Sequence, residues 1–151
     1  MQTLSFSIFI EAPREKVWNV MLEDASYREW TKLFNPGSYY KGSWEEGSEI
    51  MFLGCDEDGN VQEVGMYARI KENRLHEFVS IEHLGMIMNG VIDTTSEEVK
   101  KWTPAFENYT FKEKDGGTEL VVEIDVSEVY KEMFEGMWPK ALAVLKAIAE
   151  K

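Results

Sequence analysis

A chain of 151 residues, 44% of them hydrophobic, is the size of one ordinary domain and can build a core without a metal or disulfide staple. Its formal net charge of -12 argues against nucleic acid and against insertion into or docking on an anionic membrane, since both draw on lysine and arginine. The lone Cys55 excludes an intramolecular disulfide and any multi-cysteine metal site, and an unpaired thiol suits a cytoplasmic location.

In chain order, Leu4, Phe6, Ile8 and Ile10 alternate with Thr3, Ser5 and Ser7, which predicts a half-buried first strand. Ala12-Pro13 opens a short helix with Val17, Val20, Met21 and Leu22 on its apolar face. Asp24 is the expected cap of a second helix from about Ala25 to Leu33, which Asn35-Pro36-Gly37 ends.

Four strands are predicted next, over Ser38–Trp44, Glu49–Cys55, Val61–Lys71 and Leu75–His83. Their connectors, Glu45-Glu46-Gly47, Asp58-Gly59-Asn60 and Glu72-Asn73-Arg74, are short, as antiparallel neighbours require. The segment 85–102 breaks the alternation and reads as a lid or rim, with Thr95 or Ser96 capping a helical turn. Two further strands meet at Asp115-Gly116-Gly117, with Tyr109, Phe111, Leu120, Val122, Ile124 and Val126 facing inward. From Ser127 the period becomes helical, and Tyr130, Met133, Phe134, Met137, Trp138, Leu142 and Leu145 form one stripe interrupted by Pro139.

This order predicts an α+β helix-grip fold: a curved antiparallel sheet of six or seven strands wrapped on a long C-terminal helix, with two short helices after the first strand. The features that carry it are Phe6-Ser7-Ile8-Phe9-Ile10 with Ala12-Pro13-Arg14-Glu15-Lys16-Val17-Trp18, then Tyr27-Arg28-Glu29-Trp30 and Glu46-Gly47-Ser48. Asn108-Tyr109-Thr110-Phe111, Asp115-Gly116-Gly117-Thr118-Glu119-Leu120 and the helix after Val126 complete them. Together they resemble the SRPBCC or START-like superfamily of birch-pollen-type allergens. Within it the chain looks most similar to the family named after the activator of the heat-shock-protein-90 ATPase. The resemblance spans residues 1–151 as a single domain and implies binding of lipids or other apolar molecules, co-chaperone-like interaction, or cyclase- and hydrolase-type reactions.

The residues offer little for catalysis. His76 and His83, seven apart on a strand, fall on opposite faces and cannot share a metal. There is no Gly-x-Ser-x-Gly elbow, no phosphate-cradling glycine loop and no Cys-x-x-Cys pair, and nothing local makes Cys55 electropositive. No metal or cofactor is therefore expected.

Polar residues on apolar faces remain: Glu77 and His83 share parity with Val79 and Ile81, and Glu107 with Tyr109 and Phe111. A carboxyl held among apolar side chains must be paired, hydrogen-bonded or protonated. The leading expectation is a cavity for a small apolar molecule, walled by Trp44, Phe52, Met66, Tyr109, Met133, Met137 and Trp138, with Glu107 and His83 as polar contacts. The alternatives are a protein partner on a co-chaperone-like module, and a cyclase or hydratase using Glu107 or Glu77 as a base.

Overall fold

The computed structural model describes residues 1–55 and 63–151. The elements run β1 (Gln2–Ile10), α1 (Arg14–Leu22), α2 (Asp24–Thr31), β2 (Tyr39–Gly42), β3 (Glu49–Gly54), β4 (Val64–Arg74) and β5 (Phe78–Met88). Then follow β6 (Val91–Asp93), α3 (Glu97–Lys100), β7 (Ala105–Lys114), β8 (Gly117–Val126) and α4 (Glu128–Ala149). The predicted connector Asp58-Gly59-Asn60 and the predicted strand start at Val61 lie outside the described residues.

All strand pairs are antiparallel. The main path is β1-β8-β7-β5-β4-β3-β2, seven strands, with β6 added on the far half of β5 as the eighth. The helix-grip architecture is therefore the one the alternation and the closing helical period predict. The inner face is built by the inward parity of each strand, with Ile10, Ile50, Ile70, Ile81, Leu120 and Val122 all fully buried. The β7–β8 turn falls at Asp115-Gly116, both with positive φ (48° and 80°), the backbone that a two-residue hairpin between twisted strands requires.

Helix α4 lies against this face in two unlike halves. From Trp138 onward it buries Trp138, Ala141, Leu142, Leu145 and Ala149. Its C-terminal end is clamped to β1: the Lys146 ammonium donates to the Phe9 carbonyl at 2.7 Å and to Glu150 at 2.7 Å. Glu150 in turn accepts the Glu11 backbone N–H at 2.8 Å. The residues before Trp138, Glu128–Met137, bury none of their side chains. Pro139 sits at the change-over with its ring exposed, so the carbonyl it leaves without a helical donor, that of exposed Glu135, is on the side that water reaches.

Two expectations need correction. Asp24 is the first residue of α2 rather than its cap; its carboxylate pairs with Arg28 at 3.0 Å one turn on, and Glu23 caps without a side-chain bond. β5 begins at Phe78, not Leu75, because Leu75-His76-Glu77 form a turn with His76 at φ 64°. Glu77 consequently stands exposed in that turn, and strand parity never applies to it. The 85–102 segment, expected as a lid or rim, is built as a hairpin plus α3, with the cap at Ser96 that the sequence predicts. Asn89-Gly90, both at positive φ, turn β5 into β6, and Ser96 caps α3 by accepting the Val99 N–H at 3.3 Å. Gly85 permits this hairpin: a Cβ there would lie 2.3 Å from the Asp93 carbonyl oxygen.

Candidate binding site between the sheet and the last helix

Glu107 enters the interior by register. Its Cα partners are Ile81 on β5 and Ile124 on β8, both inward-facing, and Tyr109 two residues on is paired with Val79 and Val122. Alternation along β7 therefore places Glu107 and Tyr109 on the same inner face. The Tyr109 hydroxyl donates to Glu107 Oε2, and His83 Nε2 lies 3.0 Å from Glu107 Oε1. The side chains of His83 and Glu107 are 8% and 15% exposed. A carboxylate that receives one hydrogen bond on each oxygen is the partnered form that burial demands.

The electrostatic consequence falls on the surrounding phenols. Burial first, and then the charge of Glu107, hold the Tyr109 hydroxyl well above its ordinary range. The same two causes, in the same order, raise Tyr27 on α2. Tyr27 therefore senses the charge of Glu107, a relation that sequence reasoning did not single out. In the sequence it reads only as an apolar position of a short helix; the packing of α2 on the sheet is what brings it near Glu107.

His83 carries a second feature. Its ring packs edge-on against Phe52, centroids 5.8 Å apart, and its Nδ1 is buried with no hydrogen-bond partner among the described residues. The indole N–H groups of Trp138 and Trp44 are buried and unpartnered in the same way. Buried polar atoms of this kind are uncommon in folded proteins.

The predicted wall residues divide by place. Trp138, 3% exposed, fills the space between sheet and helix, its ring 5.1 to 6.3 Å from those of Phe34, Trp30, Phe6 and Tyr109. Phe52 is half-buried beside His83 and contacts Trp44 at 5.7 Å. Met66 is half-buried and pairs with Phe52 and Met86 across the ladders. Met137 is half-buried and Met133 is 46% exposed, both on the N-terminal half of α4, whose half-buried Phe134 packs against the core beside Phe34. Val129 and Tyr130, one turn earlier, are more exposed still, at 83% and 54%. Met86, Met88, Val91 and Ile92 on the β5–β6 hairpin are likewise exposed.

A separate open groove of about 340 Å³ lies at the α1 end of the sheet, lined by Trp18, Leu22, Tyr40, Trp44 and Leu75 with Glu23 and Glu45 among its polar residues. Trp44 is shared: it lines this groove and also touches Phe52. Among the described residues no group of three His, Cys, Asp or Glu side chains is placed to hold a metal ion, and no helix is long and apolar enough to cross a membrane.

Comparison with known proteins agrees with this architecture. The family described as Activator of Hsp90 ATPase homolog 1-like protein matches residues 11–150. No curated protein matches the chain. Among solved structures, a Cytophaga hutchinsonii protein is similar at TM-score 0.72 and 19% identity, over 99% of this chain and 94% of that one. A Chromobacterium violaceum protein is similar at 0.67 and 18%, over 99% and 97%. The Aha1 dimer from Colwellia psychrerythraea is similar at 0.67 and 15%, also over 99% and 97%. At these identities the likeness establishes the fold.

Proposed function

Because the chain belongs to the Activator of Hsp90 ATPase homolog 1-like protein family, whose model matches residues 11–150, we propose that it binds a small apolar ligand between its sheet and the N-terminal half of α4, without catalysis. The observation that carries this reading is the His83–Glu107–Tyr109 cluster set among Phe52, Met66 and Trp138 on an inner face. A purely structural core gains nothing from a carboxylate there, since apolar side chains of similar volume stabilise as well or better. A few convergent polar groups within an aromatic and methionine wall are the usual make-up of a ligand site. We take the less buried N-terminal half of α4, with Met133 and Met137, as the way in. We take the whole chain as one domain working in the cytoplasm, in keeping with its unpaired Cys55.

Native mass spectrometry of freshly purified protein tests the reading: a co-purifying apolar molecule is expected. Titration with Nile red, an uncharged apolar dye, should show saturable binding that weakens in Met137→Gln. Absence of both would overturn it.

A second reading is a co-chaperone-like interaction module. It is favoured by the exposure of Val129, Tyr130 and Met133 on one helix and by the description of the Colwellia relative as a dimer. A pull of chain mass to twice 17.5 kDa in solution, lost in Tyr130→Glu, would favour it over the ligand reading.

A further inference from the structure

From the hydrogen-bond inventory of the His83–Glu107–Tyr109 cluster we infer that the site selects ligands with an uncharged or cationic hydrogen-bond donor as headgroup, an alcohol or an amine, and rejects carboxylates and phosphates. This rests on the ligand-binding reading and adds a chemical class to it.

Glu107 accepts from Tyr109 on Oε2 and faces His83 Nε2 at 3.0 Å on Oε1. A carboxylate has about four acceptor positions and no proton to give, so two lone-pair directions remain after these contacts. In the tautomer that turns the Nε2 proton to Glu107, His83 presents Nδ1 as an acceptor, and that atom is the buried one without a partner among the described residues. The Tyr109 hydroxyl has its proton committed to Glu107 and keeps only lone pairs. The valences left over on these three side chains are therefore all acceptors, and the unpartnered donors around them, the indole N–H groups of Trp138 and Trp44, are neutral and bring no positive charge to hold an anion. The cluster's acceptors are satisfied by an O–H or N–H from the ligand; a carboxylate or phosphate brings none to them and sets its own charge against Glu107.

Charge points the same way. None of the sixteen Lys and Arg side chains is buried. Arg14 is half-buried but pairs with Glu113 near the start of α1, and Lys146 is held by Phe9 and Glu150 at the clamped end of α4. Lys131 is half-buried on the open half of α4, and among the described residues no ion pair joins it to Glu107. Around it that half of the helix carries Glu128, Glu132 and Glu135, all exposed. An anionic headgroup would thus approach past three carboxylates to meet a fourth, and like charges brought together away from water repel strongly.

The test uses the intact protein and three ligands that share one ten-carbon chain: decanol, decylamine and decanoate, each displacing Nile red near neutral pH. Decanol and decylamine should bind about tenfold tighter than decanoate or better, a gap of roughly one like-charge contact. Glu107→Gln, which keeps the shape and removes the charge, should close most of that gap, while Lys131→Met should leave it unchanged. Equal or tighter binding of decanoate by the parent overturns the headgroup rule alone, whether or not Glu107→Gln folds. Tight decanoate binding that Lys131→Met abolishes would hand headgroup choice to Lys131 and also overturns it. Failure of Nile red itself to bind removes the ligand reading and the headgroup rule together.

Discussion

His83 and Glu107 meet as diagonal neighbours across the β5–β7 ladder, imidazole to carboxylate at 3.0 Å, although the Cα partner of His83 is Ala105 and that of Glu107 is Ile81. Diagonal pairs one step out of register are within reach of side chains of this length on one face of a sheet. The contact therefore depends on inter-strand register as well as on either residue, and shifting β7 by one residue would turn Glu107 to the outer face.

Breaking the pair from one side should cost more than removing both partners. Glu107→Leu leaves the Tyr109 hydroxyl and the His83 Nε2 buried without their acceptor, a loss of about 1 to 3 kcal/mol per orphaned group. His83→Phe combined with Glu107→Leu should recover part of that loss. Urea melts of the two single variants and the double variant measure the coupling directly. Strictly additive losses would mean that the 3.0 Å contact carries no energy.

Trp138 is the keystone of the sheet–helix contact, touching rings from β1, α2, β7 and the loop after α2. Trp138→Ala should destabilise the protein by about 3 to 5 kcal/mol, because four aromatic neighbours cannot all collapse into the space. Denaturant unfolding checks the size. A loss well under 1 kcal/mol would contradict this packing around Trp138.

Much of this architecture was legible because strand parity and turn chemistry are local. Tyr109, Phe111 and the Asp115-Gly116 turn can be placed from the residues alone, and the inward aim of Glu107 follows from the same parity. The His83 contact was not legible, since it depends on which strands pair and in what register. Glu77 shows parity failing for a local reason: the count begins inside a three-residue turn. β6 was hidden behind its own signal. Asn89-Gly90 is a strong two-residue hairpin cue, but the strand it starts is only three residues long, too short to show alternation. On α4 the helical period is real over the whole stripe, yet only tertiary packing decides which half of it is buried.

The two phenols beside Glu107 should report the buried charge at alkaline pH. Tyr109 and Tyr27 both titrate above their ordinary value of 10.0, through burial first and Glu107 second. The unfolded chain releases those protons near 10.0 while the folded chain holds them, so the associated stability is full below that pH and is lost as pH rises above it. Phenolate absorbance in a pH titration should show these two of the six tyrosines ionising only with unfolding. Tyr109→Phe should flatten the alkaline fall in stability. Ionisation of all six in one step at the ordinary value, with the fold intact, would contradict the buried cluster.

The two halves of α4 should respond oppositely to substitution. Leu142, 2% exposed in the clamped half, loses a packed side chain on Leu142→Ala, at a cost of about 2 to 5 kcal/mol. Met133, 46% exposed in the open half, has little packing to lose, so Met133→Gln should change stability by no more than about 0.5 kcal/mol. If that half is the entry to the interior, the same variant should nevertheless weaken Nile red binding, because a polar group then lines the way in. Hydrogen exchange gives an independent view: amides of residues 128–137 should exchange through local opening well before those of 141–149, which Lys146 and Glu150 tie to β1. Acid should narrow the difference. Hydrogen bonds from Lys146 and from the Glu11 N–H hold the Glu150 carboxyl below its usual range, so the clamp is intact above that range and is lost as pH falls through the lowered value. Uniform protection along α4 at neutral pH, together with a large stability loss in Met133→Gln, would show that the helix is packed along its whole length and that the interior has no mouth at its N-terminal half.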